Sequence, residues 1–150
     1  MKRKKIMCIS SHGGHLHELK AAVKNIDGDF CWCTHKTKAT KASLEKFRHH
    51  FIIDPCTSKI KFGINSIQAL WYLIIERPDV VISTGAGIAV PTMLFAKWFF
   101  GAKLIFVESA ANVIDPSRTG LFVYKFCDLF LFQWGGMQKY YPKGKYVGIL

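Results

Sequence analysis

Two adjacent glycines followed by a histidine, Gly13-Gly14-His15, come after an apolar run and the pair Ser10-Ser11. Glycines let backbone approach an oxygen-rich ligand, and a helix opening at that point offers free N–H groups and a positive dipole end to a phosphate. Ser11, Gly13, Gly14 and His15 are therefore candidate binding residues, His15 as a donor to phosphate or hydroxyl. A second small-residue stretch, Ser83-Thr84-Gly85-Ala86-Gly87, repeats the pattern and adds Thr84, Gly85, Ala86 and Gly87. A third, Glu108-Ser109 with Asn112, sets a carboxylate where it can accept a proton or hold a sugar hydroxyl. Each has a plainer reading: glycine turns that bind nothing, and a Glu108 that caps neighbouring N–H groups. Neither G-x-G-x-x-G nor G-x-x-x-x-G-K-[ST] occurs, so an ordinary dinucleotide site or P-loop is not supported.

His12, His15 and His17 invite a zinc reading, but no local cysteine or carboxylate completes a tetrahedral set: Glu18 on the same helix does not converge with His12. No metal site and no cofactor are expected. Cys31 and Cys33 share one face of a strand and read as packing, and His49-His50 as solvated surface. Spacing alone assembles no Ser-His-Asp or Cys-His constellation, so covalent catalysis is not predicted.

The elements that must hold these stretches alternate between short β-rich runs and segments of helical period, which predicts a parallel sheet with crossover helices. Strands are expected at Lys5 to Ser10, Phe30 to Thr34, Phe51 to Ile53, Val80 to Ser83, Lys103 to Val107, Leu129 to Phe132 and near Tyr146. Leu16, Leu19, Ala22, Val23 and Ile26 mark a first helix that ends near Asp27-Gly28, and a polar one spans about Lys38 to Arg48. Pro55 to Lys61 reads as a loop. From Ile64 to Glu76 the apolar stripe is Ile64, Ile67, Leu70, Trp71 and Ile74, with Tyr72, Leu73 and Ile75 apolar beside it; Pro78 stops that helix. A last helix, near Ile88 to Phe100, carries Pro91 in its first turn. The expected fold is α/β: one Rossmann-like domain over residues 1–150, a mostly parallel sheet with helices on both faces. All three stretches follow strands, so they meet at the carboxyl edge, where such sheets bind ligands.

A chain of 150 residues, 50% apolar and 21% charged, can bury a proper core and is no disordered tail. Its formal charge is +11, and residues 1–61 hold 13 basic against 5 acidic side chains. That field favours nucleic acid, an anionic membrane surface or phosphate-bearing substrates. A sheet covered on both faces lacks the exposed aromatic platform of a nucleic-acid binder, so no nucleic acid is expected. Lys59 and Lys61 with Phe62, Trp71, Tyr72 and Trp98 instead resemble a surface that lies on a membrane, although core or dimer contacts would also account for the aromatics. Five cysteines without framework spacing read as reduced and cytosolic. The basic start, Met1 to Lys5, precedes an apolar run too short for a signal peptide, and the longest apolar stretch, Ile88 to Phe100, is too short to span a bilayer.

Taken together, Ser10-Ser11-x-Gly13-Gly14-His15-Leu16-x-x-Leu19, Pro78 through Gly87 to Pro91, Gly101-Ala102-Lys103 through Glu108-Ser109, and Asp128 through Gln133-Trp134 to Tyr141-Pro142-Lys143 carry a resemblance that runs from Ile6 to Leu150. The chain resembles the small bacterial polysaccharide-biosynthesis proteins similar to the membrane-anchor subunit of the dolichol-pathway N-acetylglucosaminyltransferase. The resemblance implies the N-terminal half of a B-type glycosyltransferase, split so that a second polypeptide supplies the UDP-sugar site. It implies a polyprenyl-diphosphate-linked saccharide as acceptor, near Ser11, Gly13, Gly14 and His15, with Thr84 to Gly87 as the second loop of the cleft. Glu108 and His15 would be the catalytic pair, Glu108 as base or acceptor-positioning group, and Asn112 stands where relatives often carry a cation. The expected role is acceptor binding, peripheral placement at the cytoplasmic face of the membrane, and activation of a catalytic partner in capsule or exopolysaccharide synthesis, with β-1,4-hexose (galactose) transfer as the reaction the resemblance to the bacterial proteins suggests. A self-sufficient homodimeric transferase and a non-catalytic membrane scaffold are the rival readings.

Overall fold

A computed structural model of the chain describes residues 3–150; Met1 and Lys2, which open the basic N-terminal run, lie outside the described residues. In chain order the elements are β1 (Lys5–Ser10), α1 (Gly14–Val23), β2 (Asp29–Thr34), α2 (Lys38–Leu44), β3 (His49–Phe51), α3 (Lys59–Glu76), β4 (Val80–Gly85), α4 (Val90–Phe100), β5 (Lys103–Val107), α5 (Arg118–Val123), β6 (Leu129–Phe132) and β7 (Lys145–Tyr146). The seven strands form one sheet in the order β3-β2-β1-β4-β5-β6-β7, and every pairing is parallel. The chain works outward from β1 to β3, returns through α3 to β4, and then proceeds the other way. Right-handed crossovers consequently place α1 and α2 on one face and α3, α4 and α5 on the other.

Side-chain alternation serves both faces. Ile6 and Cys8 of β1 pack with Trp32, Ile82 and the inward Leu16, Leu19, Val23 and Leu44 of α1 and α2. Met7 and Ile9 of the same strand join Val81, Leu104 and Phe106 beneath Ala69, Leu73, Met93, Ala96 and Val123. Burial on both sides is why the central strands read as continuous apolar runs. The predicted α/β fold with helices on both faces is the observed one.

Several boundaries differ from the sequence expectation. The third strand is His49–Phe51, not Phe51 to Ile53: Trp32 pairs with His49, while Ile53 turns its N–H to Gln68 Oε1 of α3 at 2.8 Å. α1 stops at Val23, and Ile26 is exposed. α2 stops at Leu44 because the carbonyl of Arg48 is drawn to the N–H of Trp32, 2.9 Å away. α3 starts at Lys59, capped by Ser58, so Lys59 and Lys61 are helical instead of lying in a loop. α5, capped by Ser117, has no counterpart among the expected helices.

The rotation of α3 is a further finding. Its apolar stripe faces outward, in keeping with the membrane reading of Trp71, and the buried positions are Asn65, Ala69, Leu73 and Glu76. Polar anchors set this choice. Asn65 Nδ2 donates to the carbonyls of Ile53 (2.8 Å) and Ile88 (3.3 Å), and the Glu76 carboxylate meets His50 Nε2 at 2.7 Å and Arg48 Nε at 3.4 Å. Turned inward, the isoleucines would leave those backbone acceptors unsatisfied beneath the helix. Ile60, Ile64, Ile67, Trp71 and Ile74, at i, i+4, i+7, i+11 and i+14, are all exposed, Ile67 by 73% and Trp71 by 61%.

Candidate functional site

The strand order reverses at β1 and β4, and the first two loops meet there. Register slips between Ile9 and Ser10, so that Ile9 faces Ser83 but Ser10 faces Gly85 and Thr84 bulges out of the ladder. Its freed groups bond to the first loop: His15 Nδ1 donates to the Thr84 carbonyl at 3.0 Å, and Thr84 Oγ1 donates to the His15 carbonyl at 2.6 Å. Gly85 then passes behind the imidazole at a φ of +120°, where an added Cβ would lie 3.4 Å from His15 Cε1. Ala86 follows at a φ of +71°, a conformation that costs an L-residue energy and that sites of function often hold.

Gly13 caps α1 at a φ of +77° and lends no side chain to the helix end; Ala86 does the same for the 3-10 turn Gly87–Ala89 that leads into α4. By contrast Thr37, Ser58 and Ser117 cap α2, α3 and α5 with their hydroxyls. Gly14 and Gly87 are exposed with nothing within 4 Å of where a Cβ would stand, so packing does not require glycine there. The edge between β1 and β4 thus shows two helical openings with unblocked N–H groups, the arrangement that receives an anion. Ser11 is buried beneath it.

Glu108 is not open to this edge. It is 1% exposed; Oε1 accepts from Asn112 Nδ2 at 2.7 Å and Oε2 from the Tyr141 hydroxyl at 2.5 Å. Gly120 of α5 closes the enclosure, since a Cβ there would sit 2.2 Å from Glu108 Oε2. Burial, together with the adjacent Glu108, pushes the Tyr141 phenol well above its usual range and keeps it a donor. The expected base at the end of β5 is therefore an internal anchor: its oxygens are spent holding Asn112 and the segment after β6, and Asn112 is half-buried with it.

Three residues not singled out as site residues from the sequence join the loops. Glu18 Oε1 accepts the Ala110 N–H at 2.7 Å and faces Gln133 Nε2 at 3.5 Å. Gln133 also donates to the Glu108 carbonyl at 3.0 Å, and Trp134 Nε1 donates to that of Ala110 at 2.7 Å. Glu18 follows His15 by three positions, a spacing that puts both on one helical side and was the available signal. Gln133 and Trp134 carried no such local mark.

Of the predicted membrane residues, Lys59, Lys61, Phe62, Trp71 and Trp98 are exposed on α3 and α4. Tyr72 is corrected: it is half-buried, stacks on His50 with ring centroids 4.3 Å apart, and donates its hydroxyl to the Phe51 carbonyl at 3.0 Å. No helix among the described residues is long and apolar enough to cross a membrane. One group of metal-ligand type occurs among the described residues, Cys31, His50 and Glu76, away from the loops and near the end of α3. Burial and the nearby Glu76 carboxylate push the Cys31 thiol up to about 12, and both Glu76 oxygens already have partners. A concavity of about 640 Å³ also lies at that far end, lined by Lys4, Arg77, Asp79 and Lys103, and takes no part in the loop arrangement.

Residues 53–150 match the family described as oligosaccharide biosynthesis protein Alg14 like, a span that includes the second and third loops and all of α3. The chain is 31% identical over 104 residues to the UDP-N-acetylglucosamine transferase subunit ALG14 of Debaryomyces hansenii, covering 66% of this chain and 44% of that one. It is 30% identical over 92 residues to the human subunit of the same name, covering 55% and 43%. The chain thus spans less than half the length of these curated relatives. Among solved structures, Acinetobacter baumannii MurG superposes on 89% of this chain and 42% of its own with a TM-score of 0.75 at 16% identity, a likeness of fold.

Proposed function

The chain belongs to the Alg14-like family of oligosaccharide biosynthesis proteins, and on that premise we propose that it is one subunit of a UDP-sugar transferase, working with a second polypeptide that carries the UDP-sugar site. Its own part is to bind a polyprenyl-diphosphate-linked saccharide, hold the complex peripherally at the cytoplasmic face of the membrane, and complete the catalytic cleft. The observation that supports this most directly is the pair of uncapped helical openings at the β1–β4 edge, with His15 between them and glycines at Gly14 and Gly87 that packing does not demand. Such an edge suits a diphosphate: dipoles and N–H groups meet its charge, and missing side chains let it come close. Transfer also needs water kept out, and a single sheet edge is open until another body covers it.

Placement at the membrane draws support from α3. Ile60, Ile64, Ile67, Trp71 and Ile74 form one outward stripe, Lys59 and Lys61 flank its first turn, and Trp98 and Phe99 are exposed on the adjoining α4. Apolar anchors beside cations match an anionic bilayer, each well-placed cation adding about 1 kcal/mol. The product class we propose is a capsular or exopolysaccharide repeat unit, with galactose as the first β-1,4-linked hexose to test.

The deciding experiment measures transfer of labelled sugar from a panel of UDP-sugars to lipid-linked acceptor in membranes, with this chain alone, the presumed catalytic partner alone, and both. Transfer that appears or rises steeply only with both is the expected result. Full activity of this chain alone would establish a self-sufficient enzyme, and a partner unaffected by it would leave only a scaffold.

A further inference from the structure

Glu18 has one carboxylate oxygen too many. Oε1 is used, accepting the Ala110 N–H at 2.7 Å, but Oε2 is buried with no hydrogen-bond partner, 4.0 Å from His15 Nδ1. A buried, undonated carboxylate oxygen is costly, and in a native fold it calls for a reason. The imidazole supplies one. Thr84 offers His15 a carbonyl, which can only accept, so Nδ1 carries the hydrogen and the neutral ring holds its lone pair on Nε2. His15 is one-third exposed, so part of the ring stays open at the edge where the two helical openings lie.

The geometry points to Glu18, and not the enclosed Glu108, as the acidic partner of His15: a positioning residue whose charge favours, alongside the Thr84 carbonyl, the hydrogen on Nδ1 and faces the positive charge that forms when Nε2 takes a proton. As the oxygen of an acceptor hydroxyl at the edge bonds to the anomeric carbon of the UDP-sugar and UDP leaves with the electron pair of the broken C–O bond, the hydroxyl proton passes to Nε2. The ring becomes an imidazolium, and its charge arises 4.0 Å from the desolvated Oε2. The arrangement has the logic of a histidine backed by a carboxylate, here from the next turn of the same helix. Through Oε1 the same side chain ties this histidine to the third loop, so the tautomer and the placement of Ala110 are set together. The inference rests on the reading of this edge as the acceptor site.

Glu18→Gln separates the two roles. Its amide oxygen can still accept the Ala110 N–H, which forces the NH2 group into the Oε2 position, donor against the Nδ1–H donor. A residue that merely braces the loop tolerates this change; an orienting carboxylate does not. The first readout is the His15 tautomer in the isolated 15N-labelled chain by long-range 1H–15N correlation, assigned with a His15→Gln variant. The wild-type ring should carry its hydrogen on Nδ1, and Glu18→Gln should shift population toward Nε2–H. The second is transfer with the partner present, where kcat should fall by about tenfold to a hundredfold with KM little changed, at or below the lower end of the roughly 10²–10⁴-fold that a positioned general base contributes. Glu18→Asp, which keeps the charge, should recover part of it. A wild-type ring protonated on Nε2, or a Gln variant with an unchanged tautomer, overturns the assignment. If no partner supports transfer, the complex reading fails while the tautomer still decides the role of Glu18.

Discussion

At the scale of single residues, the acid at the end of β5 teaches that position along a strand does not fix exposure. Glu108 was legible as a carboxylate on the ligand edge because it ends an apolar run. Its enclosure was not, because Tyr141 and Gly120, which close over it, come from 33 and 12 positions further along. Gly120 is the sensitive point. Gly120→Ala sets a methyl 2.2 Å from Glu108 Oε2 and 2.6 Å from the Tyr141 hydroxyl. Overpacking of this kind costs about 1–3 kcal/mol, and the buried pair beneath makes the upper end the expectation. Thermal denaturation should show the midpoint lowered by roughly 2–4 °C per kcal/mol for a chain of this size; an unchanged midpoint would mean that α5 shifts freely away from Glu108. The small-residue loops were readable as turns, by contrast, because Gly13 and Gly85 hold a positive φ that glycine permits, whereas the same conformation at Ala86 was not.

At the scale of elements, α3 was legible in the sequence but its rotation about its own axis was not. Periodicity identifies a stripe and says nothing of what lies opposite it, and here Asn65, Gln68 and Glu76 bond to groups of the β3 region that no helical wheel contains. The consequence is measurable. Ile67→Ser with Trp71→Ser alters only the outer stripe, so stability should stay within about 0.5 kcal/mol, as for surface changes in general. Binding to vesicles containing anionic lipid, followed by co-sedimentation, should weaken by tenfold or more, since roughly 1.5–3 kcal/mol attends each large apolar side chain withdrawn from lipid. Asn65→Leu should do the opposite, leaving vesicle binding alone and costing about 1–3 kcal/mol as the Ile53 and Ile88 carbonyls lose their donor. Equal vesicle binding by the outer-stripe variant would remove α3 as the membrane face.

At the scale of the whole molecule, the alternation of strand and helix gave the parallel sheet, whereas the strand order follows from crossover handedness and the long return through α3. One ion cluster spans that architecture. Burial raises the Asp128 carboxyl, but the hydrogen bonds from Lys97 of α4, the Leu104 N–H and Lys103 of β5 outweigh it and hold the group at about 2. A folded pKa below the unfolded value of about 3.9 means stability that is present above that value and is lost as pH falls through the folded one. Asp128→Asn should therefore be less stable than the parent at pH 7, and the difference in denaturation midpoint should close between about pH 4 and 2. A gap that persists unchanged to pH 2 would show that Asp128 acts by geometry and not by charge.

The placement of β1 between β2 and β4 also sets a timetable for the chain as it is made. Ile6 finds one neighbour in Phe30 soon after synthesis, but its other, Val80, lies 74 residues on. Closing a loop of that length costs roughly 4 kcal/mol in chain entropy before any contact repays it. Until α3 and β4 have emerged, the side of the first strands that bears Met7, Ile9 and Cys33 has no cover. Those residues form an apolar surface that the nascent protein presents, and the return through α3 helps to hide it. The helix whose isoleucines we propose for a membrane is thus first the lid of its own folding.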